Sequence, residues 1–342
     1  MTNIFPNSFT GVSVVIPCRN EEKYIKRCID SIVEGTASEI PIEILVVDGM
    51  SMDNTPAIID RISKEHNFVR RIINPAKETQ IALNLGVSLA SFSHVMIAGA
   101  HAEFPEGYIK TLLVQMNILH ADGVGGSLKT DVLNRTKTSV AISKVLSHPV
   151  GVGNSMFRVG ADHPVQVDTV PFGIYKKELF EEVGYYNEKL KRNHDMEWSK
   201  RVINSGKKIF LIPEVQCVYY ARENYQALAT NNFRNGLWNI LAVCLTRTFR
   251  SLSIRHFVPF GFVGSLLVVL ISGMFYSPLL YAGLGLLLMY LMILMFFSLK
   301  ISGNGTTILH LVLAFVVLHF SYGFGSMVGV FHGIPVLFRK SS

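Results

Sequence analysis

The chain has 342 residues, a formal net charge of +7, 49% hydrophobic residues and four cysteines. That length allows one large domain with an attachment, or two small ones. The charge suits small anionic substrates and an anionic membrane surface, the lack of a basic stripe with interleaved aromatics argues against nucleic acid, and the scattered Cys18, Cys28, Cys217 and Cys244 offer no CxxC pair for a metal or disulfide framework.

In chain order, the N-terminus lacks the basic stretch and long apolar run of a signal peptide. Gly11–Pro17 is a β-branched apolar run ending at proline, which predicts a buried strand. Helical spacing follows over Asn20–Val33, then a second buried strand at Ile42–Val47 and a helix over Thr55–Lys64 with Asn54 as its N-cap. A short strand is expected at Arg71–Ile73, a helix at Glu78–Leu89, a strand at His94–Ala98 and a helix near Pro105–Met116. Strands alternating with helices predict an α/β fold, a mostly parallel sheet with helices on both faces.

Ligands of such sheets bind beyond the carboxyl ends of the strands, so the residues just after each strand are informative. Pro17-Cys18-Arg19-Asn20-Glu21-Glu22 follows the first strand, Asp48-Gly49-Met50-Ser51-Met52-Asp53-Asn54-Thr55 the second, and Gly99-Ala100-His101-Ala102-Glu103 the fourth. Each alone is equally read as capping polar residues. Together, on one sheet edge, they favour a nucleotide site. Asp48 can accept from a uracil N–H, Glu21 or Glu22 and Asp53 can fix uracil or ribose, and Gly49 lets the backbone come close. No GxGxxG or GxxxxGK[ST] is present, so dinucleotide and P-loop readings fail.

From Phe257 onward charge almost disappears. Phe257–Tyr276 and Leu279–Leu299 are uncharged and of spanning length, and the break at Pro278 makes them a helical hairpin. Arg247, Arg250 and Arg255 before the first span and Lys300 after the second place both flanks in the cytoplasm. Thr306–Phe338 is long enough to span, but a simple third span would carry Arg339 and Lys340 outward, so spanning and re-entrant paths both stand. Gly325, Gly329 and Gly333 recur every four residues, a pattern for close helix packing, more often intramolecular than dimeric. Ala227–Leu252 is amphipathic and reads as a helix lying on the bilayer, a core helix being the plainer alternative. The expected organisation is a cytoplasmic catalytic domain over 1–225, an interfacial helix region over 226–256 and a membrane anchor over 257–342.

The strand-IPxxNE start and the VVDGxSxDxT turn resemble bacterial family 2 glycosyltransferases with the GT-A fold. Further matches are Asn74-Pro75, Ala82-Leu83-Asn84-Leu85-Gly86, Pro149–Ser155, Val167–Gly173, Asn193–Glu197 and Asn232–Trp238. This set is similar to the membrane-anchored, succinoglycan-type (ExoA-like) subfamily over roughly residues 10–240. The resemblance implies an inverting hexosyltransferase at the inner membrane. Its donor would be a nucleotide-diphospho-sugar, usually UDP-linked, and its acceptor a polyprenyl-diphosphate-linked glycan in exopolysaccharide or cell-surface polysaccharide assembly. Carried onto this chain, Pro17, Glu21, Asp48 and Asp53 would line the nucleotide pocket with Asn84 close by, and Arg234 and Trp238 would contact substrate. Asp195 would be the general base, with Glu197 as understudy. An Asp usually opens the triplet after the fourth strand. Here that position is Gly99, still counted among the implied substrate-binding positions, which leaves His101 as the implied protein ligand of a divalent metal, Mn²⁺ or Mg²⁺. A polyprenyl-phosphate sugar synthase and a catalytically impaired scaffold that binds a partner glycosyltransferase are the alternatives. The long insert between His101 and Asp195 favours an oligosaccharide acceptor over the first, and only Gly99 supports the second. QxxRW, expected of a processive polymerase, is absent.

Overall fold

The computed structural model describes residues 11–36, 40–247, 254–303 and 305–338. The chain forms two compact units. One comprises Met1–Lys129 and Gly160–Tyr219, the other Thr130–Val159 and Tyr220–Ser342.

The first unit opens with β1 (Val12–Cys18), α1 (Ile25–Thr36), β2 (Ile42–Asp48), α2 (Thr55–Glu65), β3 (Val69–Ile73), α3 (Thr79–Leu89) and β4 (His94–Ile97). The expected alternation is present, although α1 starts five residues later than its spacing suggested, because Asn20 to Tyr24 build a loop. β1 pairs in parallel with β2 and β4, and β2 with β3. Val12, Val14, Val15 and Ile16 of β1 and Ile44–Val47 of β2 are fully buried. Both faces of these strands are covered, which is why they read as continuous apolar runs. β5 (Ala102–Glu103), α4 (Tyr108–Ile118) and β6 (Gly123–Asp131) follow.

The chain then makes α5 (Lys137–Leu146), α6 (Pro149–Val152) and α7 (Met156–Val159) in the second unit. It returns for β7 (Val165–Gln166), β8 (Ile174–Lys176), α8 (Glu178–Glu182), α9 (His194–Asn204) and β9 (Ile209–Tyr220). The nine-stranded sheet has the order β3-β2-β1-β4-β8-β6-β9-β5, with β7 on β9. Beyond the four parallel strands the pairings of β4 with β8, β8 with β6, and β9 with β5 and β7 are antiparallel. The architecture is the expected α/β class: a mixed sheet whose first half in chain order, β1 to β4, is parallel.

In the second unit α10 (Tyr225–Thr246) is followed by a 3-10 turn at Ile254–Phe257, α11 (Val258–Gly273), α12 (Ser277–Ile301) and α13 (Ile308–Phe338). α12 and α13 are long and apolar enough to cross a membrane. The first span expected at Phe257–Tyr276 is shorter than its composition suggested. α11 has 16 residues, short of the roughly 20 a span needs, because the chain turns at Met274–Tyr276 before Pro278. The hairpin itself is present: a Cβ on Gly283 would lie 2.8 Å from the Leu270 side chain.

Thr306–Phe338 contains one continuous helix of 31 residues, not a doubled-back segment. α10 runs along it in parallel. A Cβ on Gly236 would stand 2.1 Å from the Tyr322 carbonyl oxygen, one on Gly325 2.0 Å from that of Phe233, and one on Gly329 2.7 Å from that of Leu237. The four-residue glycine repeat is thus an intramolecular seam. The amphipathic stretch expected to lie on a bilayer has its narrow buried stripe, Leu228, Asn232, Gly236, Asn239 and Ala242, and that stripe faces α13. Thr130–Val159, expected inside the catalytic domain, groups with the tail. Ala141, Ile142 and Val145 of α5 share a core with Leu294, Leu311, Ala314 and Phe315. Arg250, Arg339 and Lys340 lie outside the described residues.

Candidate active site

The loops after β1 and β2 are stapled to each other. Asn20 N–H donates to Ser51 Oγ at 2.9 Å, and Met52 N–H returns a bond to Asn20 Oδ1 at 2.8 Å. Glu21 N–H donates to Thr55 Oγ1 (2.8 Å), Glu22 N–H to Asp53 Oδ2 (3.2 Å) and Asn54 N–H to Glu22 Oε2 (3.0 Å). Asn20 and Met50 take left-handed conformations, φ 57 and 58, which turn the chain sharply into this contact. Two loops distant in sequence become one rim with few open backbone donors. The expected cap of α2, Asn54, makes no side-chain cap bond. Asp53 does that work instead, accepting Thr55 N–H at 3.0 Å. Slight desolvation opposes it, but bonds from the Thr55 hydroxyl and from the Thr55 and Glu22 N–H groups hold the Asp53 carboxyl below its usual range.

Asp48, at the end of β2, is only 2% exposed. Its Oδ1 accepts from Ser51 N–H at 3.0 Å and Ser51 Oγ at 2.6 Å, and its Oδ2 lies 3.6 Å from Arg71 Nη1. Arg71, on the neighbouring β3, is held by Asp60 through two bonds of 2.7 and 2.9 Å. Asp48 therefore builds the turn and carries a paired charge, and Oδ2 is the oxygen with acceptor capacity remaining. Pro17, half-buried, and Gly49, whose N–H donates to the Cys18 carbonyl at 2.9 Å, complete this wall. Burial raises the Cys18 and Cys28 thiols, with nearby acidic groups adding to the shift. Both thiols stay neutral and serve as core.

At the end of β4, His101 Nδ1 lies 3.4 Å from Glu21 Oε1. Its ring stands between Tyr24, at 6.1 Å, and Tyr219 of β9, at 5.3 Å. β5 fixes this arrangement, since Ala102 pairs directly with Tyr219. Gly99 has no side chain, and a Cβ built there would meet Phe172 Cε1 at 2.5 Å. An aromatic ring fills the space where a carboxylate would stand. Among the described residues no group of three or more His, Cys, Asp or Glu could hold a metal. The pair of Glu21 and His101 still fits a cation whose other ligands are diphosphate oxygens and water, because one or two protein donors suffice for such a site.

α9 brings the last group. Asp195 is in its first turn, after Asn193 in a left-handed conformation, φ 58. Asp195 is exposed, and its carboxylate has no hydrogen-bond or ion-pair partner among the described residues. Glu197, two residues on, is 6% exposed. Its Oε1 and Oε2 accept from Arg201 at 2.8 and 3.1 Å. Arg201 also donates to the carbonyls of Val183, Gly184 and Tyr185. Glu197 is thus locked into scaffold, and Trp198 anchors the helix by stacking on Phe180 at 4.3 Å. Burial lowers the His194 imidazole, against the pull of Asp195, so the neighbour of the carboxylate is neutral at physiological pH. Burial also raises the Tyr175 hydroxyl, with the Asp195 charge adding to it.

Asn84, expected close to the nucleotide pocket, is on α3. Its amide donates to the Tyr186 carbonyl at 3.0 Å and accepts from Tyr186 N–H at 2.9 Å, so it clips α3 to the loop before α9. Arg234, exposed, and Trp238, half-buried, belong to α10 in the second unit. Arg71, Arg201 and Tyr219 were not singled out from sequence, whereas the Phe172-Gly173 segment was expected to bring the acceptor wall close to the donor sugar. Glu197 and Arg201, four apart on a helix, were the available signal for one of them.

Residues 13–184 match the profile described as glycosyl transferase family 2. The chain belongs to that family, and it is a glycosyltransferase. A relative from Methanococcus voltae is 27% identical over 284 residues, 77% of this chain and 82% of its own length. It is named as a dolichyl N-acetyl-α-D-glucosaminyl phosphate 3-β-D-2,3-diacetamido-2,3-dideoxy-β-D-glucuronosyltransferase. The succinoglycan biosynthesis protein ExoA of Rhizobium meliloti is 26% identical over 230 residues, 66% of this chain and 68% of ExoA. Among solved structures, S. aureus TarS 1-349 in complex with UDP-GlcNAc superposes at a TM-score of 0.46 with 16% identity, over 65% of each chain. Of the longer TarS structure the match covers 39%.

Proposed function

We propose that this glycosyltransferase moves a hexose from a nucleotide-diphospho-sugar, UDP-linked in the first instance, to a lipid-linked glycan, with inversion at C1. The carrying observation is the division of labour on α9: Glu197 is locked by Arg201, while Asp195 presents an unpaired carboxylate on a rigid element. Asp195 takes the acceptor hydroxyl's proton as its oxygen bonds to C1, and the C1–O bond to the nucleoside diphosphate breaks on the opposite face. The stapled loops after β1 and β2, with Pro17, Glu21, Asp48 and Asp53, form the nucleotide wall. His101 with Glu21 would hold a divalent cation, Mn²⁺ or Mg²⁺, which neutralises developing diphosphate charge when bound. Arg234 and Trp238 on α10 are further candidates for substrate contact.

A lipid-linked acceptor is supported by the name of the M. voltae relative, which specifies a dolichyl-phosphate-linked sugar, and by the apolar tail. Tyr281, Leu284, Leu288, Met292, Met295 and Leu299 of α12 are all exposed, a face that suits lipid and not water. With Arg247 and Lys300 flanking the hairpin, and α11 reaching spanning length together with the adjoining 3-10 turn at Ile254–Phe257 and the turn at Met274–Tyr276, the catalytic unit faces the cytoplasm and the chain is a multi-pass protein of the inner membrane. The test is release of UDP by purified protein from a panel of UDP-sugars, with and without polyprenyl-diphosphate-linked saccharides. Acceptor-dependent release supports the proposal. Release that requires only a bare polyprenyl phosphate assigns the synthase reaction instead.

A further inference from the structure

Phe172 stands out because it is strained, half-buried and tied to the one unusual position of the site. Its φ is 46, a conformation that aromatic L-residues avoid and that persists where the surroundings impose it, often at a ligand site. Its carbonyl accepts from Tyr108 Oη at 3.3 Å, and Gly173, the next residue, accepts from Ile97 N–H at 2.9 Å. The backbone is therefore pinned on both sides, and the ring is delivered over the end of β4. There it lies 5.7 Å from Phe104, edge to face, and 6.5 Å from Tyr219, which in turn contacts His101. Beneath it is Gly99. A Cβ at that position would come within 2.5 Å of Cε1 and 2.9 Å of Cζ, so any side chain there displaces the ring.

We infer that Phe172 is a substrate-contacting residue, its ring forming the wall on which the apolar C–H face of the donor sugar packs, with Gly99 as the positioning residue that admits it. The inference rests on the nucleotide-sugar reading proposed above. The ring contacts Tyr219, which contacts His101 on the side of the site assigned to diphosphate. Gly173, the following residue, packs against Tyr175, whose hydroxyl lies 2.9 Å from a Cβ built on Gly173 and feels the Asp195 charge. The sugar of a bound donor lies between its diphosphate and the base that deprotonates the attacking hydroxyl, and the Phe172–Tyr175 segment reaches toward both, through Tyr219 to His101 at one end and through Tyr175 to Asp195 at the other. A carboxylate at position 99 would offer this sugar a charge. The ring offers a flat apolar surface and selects pyranoses that present one.

Calorimetry separates sugar from nucleotide, with UDP, UDP-glucose and UDP-N-acetylglucosamine as probes. In Phe172→Ala the affinity for the better UDP-sugar should fall roughly three- to tenfold, the size of one aromatic contact, while UDP affinity stays within about twofold. Gly99→Ala should reproduce this loss by displacing the ring, the double variant Gly99→Ala/Phe172→Ala should be no worse than either, and Phe172→Tyr should keep native affinity. Equal loss of UDP and UDP-sugar affinity, or UDP-sugar affinity unchanged in Phe172→Ala, overturns the inference and leaves the nucleotide-sugar reading standing. Failure of the unaltered protein to bind any of the three overturns both.

Discussion

Asp195→Asn and Glu197→Gln are near-isosteric changes two residues apart, and the structure assigns them opposite consequences. Asp195 is exposed and unpaired, so the Asn variant loses at most the interaction of one charge with a helix N-terminus, about 0.3–1 kcal/mol. Its melting temperature should hardly move. If Asp195 takes the acceptor proton, turnover should fall about 10²–10⁴-fold, which is roughly 2.7–5.4 kcal/mol of barrier. Glu197 is 6% exposed and doubly bonded to Arg201. Breaking a fully buried pair costs about 3–5 kcal/mol. Arg201 is 31% exposed and retains three carbonyl partners, so roughly 1–3 kcal/mol is expected for Gln. The Gln variant should therefore melt several degrees lower while its folded fraction transfers sugar at a rate within about tenfold of native. The assay pairs UDP release under saturating donor and acceptor with a thermal melt and UDP calorimetry on each variant. Near-native transfer by Asp195→Asn, with Glu197→Gln dead yet fully folded, refutes the assignment and moves the base to Glu197.

Asp48→Ala should weaken UDP binding by about 1.5–3 kcal/mol, because it removes both the turn at Ser51 and a charged acceptor; unchanged affinity by calorimetry would leave Asp48 no part in nucleotide recognition. Mn²⁺ should bind weakly alone and far more tightly with UDP, with His101→Ala abolishing the difference; transfer that persists fully in excess chelator would remove the metal from the mechanism. Gly325→Val should destabilise the detergent-solubilised protein by about 1–3 kcal/mol or more, since even a Cβ there stands 2.0 Å from the Phe233 carbonyl oxygen; a melt unchanged from native would mean that α10 and α13 part freely. Protease added to sealed right-side-out vesicles should spare residues 1–247, and cleavage of that part from the outside would reverse the proposed topology.

The parallel half of the sheet was legible because its strands are buried on both faces, and such strands write themselves as unbroken runs like Val12–Ile16 and Ile44–Val47. The loops after β1 and β2 were legible as a cluster but not as a machine. Glu22 and Asp53 read as candidates for fixing uracil or ribose, and their positions gave no sign that each also accepts a backbone N–H group of the opposite loop. Partners more than thirty residues away leave no local periodicity, and the same is true of Asn84, whose two bonds to Tyr186 cross 102 positions. β5 and β7, two residues each, carry too little pattern to announce themselves.

The tail shows a different limit. Composition identifies apolar helices but is indifferent to which of them meet. Ala227–Leu252 reads as a bilayer-surface helix from its arginines among apolar residues, and what that pattern does not reveal is that the glycine at position 236 and the glycines at 325 and 329 bring two backbones into contact along a parallel seam. The buried Asn232 amide satisfies itself on the Leu228 carbonyl at 2.9 Å, and Asn239 donates to the Tyr322 hydroxyl. These two polar side chains are satisfied within the helix pair, a pairing that composition alone does not announce. The segment Thr130–Val159 follows the same logic. Lys144 Nζ caps the Ile301 carbonyl at 2.7 Å at the end of α12, and Thr306 Oγ1 donates to the Lys137 carbonyl at 2.8 Å. Lys144 is a helix-terminus ligand, placed where cations are favoured, and it binds a stretch of the long insert between His101 and Asp195 to the apolar tail. Lys144→Ala should therefore lower the thermal stability of the second unit and leave UDP affinity unchanged, because the nucleotide wall is built wholly within the first unit; loss of UDP binding in that variant would show the two units to be energetically one.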